Sequence, residues 1–479
     1  MALDTGHTHI LQQTEEDMIS NLSDDVLLFI LGKVNLTTAM RASVLSTRWR
    51  HLPWSLSELN IDMKDFLHEP CADPTVADHI DRAMASLTVA LRNMLSPSCR
   101  KTEITRLRIS LIICNSYSSE IGYLVNEVVE TGMLKVLELT SGVDMPPDND
   151  IDEEMVKHAN GVNSFFGNYP SISHCLTRLL LFHATFAESD LHNLIANVCT
   201  ELRYLYLFRC ETGFQSIFKI DAPNSKLNVL EFAHCCFAQV ELLCLPKLEV
   251  LICGNWLCKS LSLTLGGHLP CLKEVEIYSA MRRYQEQFKL SELLCGITCI
   301  NSLSLDFLGE KIWLLPEKYH LLSAFSNLKE LYIYDIFVGF GLLWTIALLE
   351  AAPSLEILEV EVYDHRCDVE NQIRQFCAER SNAPWEVSVF AYPKNLALKE
   401  LRIIGFNASE EHIVFIGAVM DRASNLKSVA LEDKFCKDCD AISTTSVKCQ
   451  FPKNEDDQEA IVNNLRNRFS STAKIIFGG

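Results

Sequence analysis

The sequence predicts an α/β chain: three short helices at the N-terminus, then a long solenoid of parallel strands bent into a horseshoe. Three observations predict it. Helix-capping signals and helical apolar spacing crowd residues 17–60, a six-residue phrase of the form L-x-x-L-x-L recurs through the middle of the chain, and the recurrences are almost evenly spaced.

Residues 1–16 show no apolar periodicity and are assigned as a disordered N-terminus. In 17–60, Ser23 can cap a helix whose first turn holds Asp24 and Asp25, acids that suit the positive end of a helix dipole. Val26, Leu27, Ile30, Leu31 and Val34 follow at helical spacing, and Gly32 marks the end. A second helix is expected from Thr37 and a third from Val44 to Leu52, stopped by Pro53. Helices this short cannot bury all their apolar side chains among themselves, so some should face a partner.

Residues 61–100 read as a linker. Within it Ile80, Met84, Leu87, Leu91 and Leu95 recur at helical spacing, as in a helix that covers the first apolar face of the solenoid; a partner-binding helix is the alternative.

The solenoid is assigned to 101–433. LKVLEL begins at Leu134, LTRLLL at Leu176, LRYLYL at Leu202, LNVLEF at Leu227, LEVLIC at Leu248 and LKEVEI at Leu272. INSLSL begins at Ile300, LKELYI at Leu328, LEILEV at Leu355, LKELRI at Leu398 and LKSVAL at Leu426. From Leu176 to Leu355 the intervals are 26, 25, 21, 24, 28, 28 and 27 residues, the period of a leucine-rich repeat. Each phrase supplies a strand whose alternate residues point into the core and out to the concave face. Cys210 and Cys235 lie three residues beyond their phrases, where such repeats turn an Asn or Cys inward, so they are read as packing thiols. An acidic, proline-containing stretch before Leu176 and a 43-residue interval before Leu398, holding NAPWEV, interrupt the period.

Period two also identifies the outward residues. Tyr204, Tyr206, Glu274, Glu276, Glu330, Tyr332 and Tyr334 are the candidate substrate-binding set, joined by Phe208, Glu231, Tyr278, Glu359 and Glu361. Aromatic rings supply contact area and carboxylates select basic partners, so a protein with a basic, partly apolar segment is the expected client. The competing reading is that the glutamates keep an exposed sheet soluble.

Composition narrows the function. The 479 residues carry 42 Lys and Arg against 62 Asp and Glu, a formal charge of −20, which opposes general binding to nucleic acid. There is no signal-peptide pattern and no apolar run long enough for a membrane span, and nineteen cysteines without such a signal fit reduced thiols. A cytoplasmic or nuclear location is expected, with neither nucleic acid nor membrane as partner. Cys436, Cys439 and Cys449 offer three of the four ligands zinc needs, and no His follows Cys436, so no metal site is assigned. Gly339 belongs to a lone G-x-G, and the phosphate-loop, zinc-protease and nucleophile-elbow phrases are missing. No catalytic residue and no cofactor are assigned.

ISNLSDDVLLFIL, RASVLSTRWR and LPWSLSELNI together resemble the F-box of plant F-box/leucine-rich-repeat proteins, the module that docks on the Skp adaptor of cullin-based ubiquitin ligases. The family usually has proline where Ser23 stands, which predicts a softened first turn. Residues 398–433 and the closing STAKIIFGG resemble the family's FBD-like C-terminal region, leaving 434–479 as a tail or cap. The resemblance implies a non-enzymatic adaptor that binds Skp, and cullin through it, while its repeats hold a substrate protein. Leu22, Ile30, Leu31, Val44 and Trp49 are the candidate adaptor-binding residues, with simple packing of the three helices as the alternative for each. A repeat scaffold that sequesters its partner without ubiquitylation is the alternative function. For Arg48 and Arg50 a solvated helix face is the plainer reading.

Overall fold

The computed structural model describes residue 19 and residues 22–67, 77–96, 100–113, 116–142, 151–213, 217–254, 263–278, 289–309, 312–314, 317, 320–337, 340–363, 396–434 and 451–478. The disordered assignment for 1–16, NAPWEV, Gly339 and the cysteines 436, 439 and 449 lie outside these residues.

All eleven phrases become strands of one parallel sheet: β3 (Leu137–Ser141), β4 (Leu176–Phe182), β5 (Tyr204–Phe208), β7 (Val229–Ala233), β9 (Val250–Gly254), β11 (Glu274–Tyr278), β12 (Ser302–Asp306), β13 (Glu330–Phe337), β14 (Ile357–Tyr363), β15 (Glu400–Ile404) and β16 (Ser428–Glu432). Three further strands extend it among the described residues: β1 (Glu58–Asp62) and β2 (Arg106–Leu111) before β3, and β17 (Lys474–Gly478) after β16. The sheet therefore starts inside the segment read as the end of the helical unit and the start of the linker, and the segment read as a tail donates its last strand. From β4 through β5 to β7 the register runs straight, so the phrases' apolar positions stack like on like, whereas it shifts between β3 and β4 and within β13; Leu202, Leu205 and Leu207 are all but sealed, as are Leu272, Val275 and Ile277. Burying such side chains contributes about 1.5–3 kcal/mol each.

A second sheet of β6 (Ile217–Asp221), β8 (Gln239–Cys244) and β10 (Leu263–Thr264) lies between these phrases in sequence and pairs separately. Elsewhere helices take that side, among them α4 (Ser118–Glu130) and α5 (Ile151–Asn168).

At the corner after β4, β5 and β7 the chain passes through His183, Arg209 and His234, with φ of 53°, 49° and 54°. This left-handed residue turns the strand downward and drops the next side chain into the core. Cys210 Sγ then lies 3.5 Å from the Leu181 carbonyl oxygen and Cys235 Sγ 3.4 Å from that of Leu207, each thiol donating to backbone one repeat back. Burial pushes the Cys210 thiol up to about 12, so it stays protonated.

At the N-terminus α1 (Asp24–Leu31) begins after Ser23, whose φ of −68° is what a proline would impose; its side chain makes no capping hydrogen bond. Asn35 caps α2 (Leu36–Ala42) by accepting from the Thr38 amide at 2.9 Å. The expected third helix is corrected: residues 44–48 form turns, and a 3-10 helix, Trp49–Ser55, follows with Pro53 inside it. The Ser46 hydroxyl accepts from the Trp49 amide at 3.3 Å, a local bond that competes with α-helical pairing.

The linker helix forms as α3 (Ala77–Leu95), with Met84, Leu87, Leu91 and Leu95 buried and Ile80 packed beside them. Buried Arg100 donates from Nη1 to the Leu56 carbonyl at 2.7 Å and from Nε to the Met94 carbonyl at 3.0 Å, and the Trp54 indole donates to the Asn93 carbonyl at 3.2 Å. The helical unit, linker helix and first strand are thus pinned together at backbone level.

Candidate docking surfaces

The helical unit buries one side and exposes the other. Leu27 and Leu31 face inward from α1, whereas Val26, Phe29 and Ile30 face outward, Phe29 to 67% of its area. Val44, at 84%, and Leu45 are exposed on the turn after α2. Several large apolar side chains held out to solvent by one small folded unit mark a candidate interaction surface. Of the residues singled out from sequence, Ile30 and Val44 belong to this face. Leu31 (3% exposed) and Trp49 (6%) do not; they pack the helices onto the first strand, so as free surface that assignment is corrected, and Leu22 is partly buried. Phe29 and Leu45 were missed, though both lie in the quoted F-box stretches. Arg48 is not merely solvated: its Nε donates to Asp24 Oδ1 at 2.7 Å and Nη2 to the Leu22 carbonyl at 2.5 Å, holding the entry to α1.

The second surface is the open face of the sheet. Of the substrate-face residues assigned from sequence, all but Glu359, which is buried, are at least partly exposed there. Register places Tyr206, Glu231, Ile252, Glu276, Ser304 and Tyr332 in one row across six strands, with Glu274, Ser302 and Glu330 in the row beside it. At the C-terminal end of the strands Phe182, Tyr206 and Phe208 form a ring cluster with centroids 5.6–6.2 Å apart.

Charge is distributed unevenly on this face. Arg402 pairs with Glu359 and with Glu432, each at 3.0 Å, and Lys434 lies 2.7 Å from Asp335 and also pairs with Glu361. The carboxylates near the last strands are thereby internally neutralised, which removes Glu359 and Glu361 from the available set. Among the described residues no lysine or arginine pairs with Glu231, Glu274, Glu276 or Glu330. Burial, then neighbouring Glu274, Glu231 and Asp306, push the Glu276 carboxyl above its ordinary range. Burial also lifts Asp306 to about 6, with Asp335 and Glu361 adding to it. A surface whose own acids resist ionisation gains most when a cation arrives.

Among the described residues no group of three or more His, Cys, Asp or Glu is placed to hold a metal ion, and no helix is long and apolar enough to cross a membrane.

Residues 168–466 match the family described as At1g61320/AtMIF1, LRR domain, and residues 19–58 match the F-box domain. The chain belongs to the plant F-box/leucine-rich-repeat family. Its repeat sheet, with β1 to β3, extends well upstream of the matched repeat region. Three relatives from Arabidopsis thaliana carry corresponding names. Over 56 residues this F-box/leucine-rich-repeat chain is 43% identical to F-box protein At1g80960 and 45% identical to F-box/FBD/LRR-repeat protein At1g80470; each match spans only 12% of either chain. F-box/LRR-repeat protein At1g06630 is 25% identical over 447 residues, covering 89% of this chain and 98% of the relative.

Proposed function

We propose that this F-box/leucine-rich-repeat protein is the substrate-recognition subunit of an SCF-type cullin ubiquitin ligase. The apolar face around Phe29, Ile30, Val44 and Leu45 takes the Skp adaptor, which brings cullin, and the open face of the repeats takes a substrate protein bearing a basic segment. The chain itself is an adaptor, not an enzyme: it supplies proximity and orientation, and the bond-making groups sit elsewhere in the complex. Residues 398–433 act within this reading as the FBD-like end of the repeats.

The observation that carries the proposal is an exposed apolar face on the F-box pinned by Arg100 and Trp54 to a sheet whose central acids have no cationic partner among the described residues. Titration calorimetry of the full chain against purified Skp adaptor tests it. Binding should weaken by at least about thirtyfold in Val44→Asp and in Phe29→Ala, the loss typical of a truncated hot spot. Absence of binding by the wild-type chain would sink the ligase reading in favour of a repeat scaffold acting alone.

A further inference from the structure

The open face repeats one arrangement of tyrosine and glutamate, filled at one place and unfilled at another. On β4 and β5 the Arg178 guanidinium lies over the Tyr204 ring, 3.5 Å from its centroid, and the Tyr204 hydroxyl donates to Glu231 on β7. Arginine, ring and carboxylate come from three consecutive strands of the sheet. Further along, Tyr278 on β11 pairs in register with Gly254 on β9, and its ring lies across that glycine: a Cβ there would fall 2.0 Å from ring atoms Cε2 and Cζ. Glu231 and Glu276 are close enough to this ring that their charge, after burial, drives its hydroxyl well above the ordinary tyrosine range. The ring and the acid pair are therefore present, but among the described residues no cation lies over Tyr278.

Resting on the reading of this face as the partner site, we propose that an arginine side chain of the partner stacks on the Tyr278 ring and pairs with Glu231 and Glu276. Charge complementarity alone would accept lysine as well. A planar guanidinium adds stacking on the ring face and parallel hydrogen bonds to carboxylates, which an ammonium cannot reproduce. On this same face the chain itself sets an arginine over the Tyr204 ring. Gly254 is part of the device, because any side chain there would lift Tyr278 off the sheet.

The test uses the full chain and two fluorescein-labelled peptides of about eight residues, alternating arginine with serine or lysine with serine, read by fluorescence anisotropy at one salt concentration. Wild type should bind the arginine peptide about fivefold or more tighter than the lysine peptide. Tyr278→Leu should bring the two within about twofold, and Glu276→Gln should weaken both. Equal affinities in wild type would overturn the arginine site while leaving a basic partner standing. Binding of neither peptide would overturn both readings, and an arginine preference that survives in Tyr278→Leu would overturn this site. Unchanged thermal unfolding of the variants ties each outcome to the surface.

Discussion

Ser141 and His158 are joined in the core, Oγ to Nε2 at 2.6 Å, and His158 Nδ1 lies 3.1 Å from the carbonyl oxygen of His183. With Nδ1–H donating to that carbonyl, Nε2 is left to accept from the serine hydroxyl. A serine beside an oriented histidine has the outline of a nucleophile and base, yet Ser141 is fully buried and no substrate could reach it. The pair ties the end of β3 through α5 to the corner after β4.

Burial lowers the pKa of His158 and takes His412, which accepts from the Asn407 amide, down to about 4. A histidine whose folded value lies below its unfolded one stabilises fully above about pH 6.5 and loses that contribution as pH falls toward the folded value. Urea unfolding between about pH 7.5 and pH 4.5 should therefore show stability falling, with His412 alone responsible for up to about 3 kcal/mol. His412→Gln should flatten most of that slope.

Asp306 has the opposite sign. Its folded value near 6 exceeds the ordinary 3.8, so the folded state carries an unfavourable carboxylate above pH 6 and is relieved as pH falls toward 4. Asp306→Asn, which keeps an oxygen for the Leu308 amide now 2.7 Å away, should stabilise the protein at neutral pH. The gain should be about 1 kcal/mol after solvent screening and vanish near pH 4. Destabilisation at neutral pH would show that the charged form is used in the fold.

Glycine substitutions should separate backbone strain from steric exclusion. Gly132 has φ of 73° with open space around it, whereas a Cβ on Gly142, at φ 98°, would fall 2.6 Å from the Phe182 carbonyl oxygen. Gly132→Ala should cost about 1 kcal/mol and Gly142→Ala about 3 or more, read from denaturant midpoints. Equal costs would mean that the corner after β3 can open.

Cysteine reactivity should follow the solenoid. Cys210, Cys235 and Cys253 are sealed in the core with thiols held far from ionisation, and Cys295 is exposed. Alkylation of the native chain, mapped by mass spectrometry, should label Cys295 at least about a hundredfold faster than those three.

The repeat sheet was legible because its core positions recur as leucines at fixed offsets. Two strands escaped notice although they carry the same spacing in altered form: Leu56, Leu59 and Ile61 lead into β1, and Ile104, Leu107 and Ile109 into β2. The first was absorbed into the F-box resemblance; the second, ITRLRI from Ile104, has the same form as INSLSL, so its signal was present in the sequence. The side sheet of β6, β8 and β10 follows no shared phrase, so only local alternation, as in Phe218 and Ile220, announced it. On the open face, period two identified which residues point outward but not which acids are already paired, since Arg402 and Lys434 reach them only through the fold. Helical spacing likewise could not say that Leu31 faces the core while Phe29 faces water.

Strand β1 begins three residues after the F-box's last helical turn ends at Ser55, and Arg100 and Trp54 fasten that junction. The two candidate docking surfaces are consequently joined by one continuous sheet, a ruler graduated in strands. Seven steps separate β1 from β11, roughly 34 Å at the spacing of neighbouring strands. Deleting one repeat between them would draw a client bound at Tyr278 roughly 5 Å toward the F-box. On the proposed reading, repeat number sets the reach at which a client would be presented.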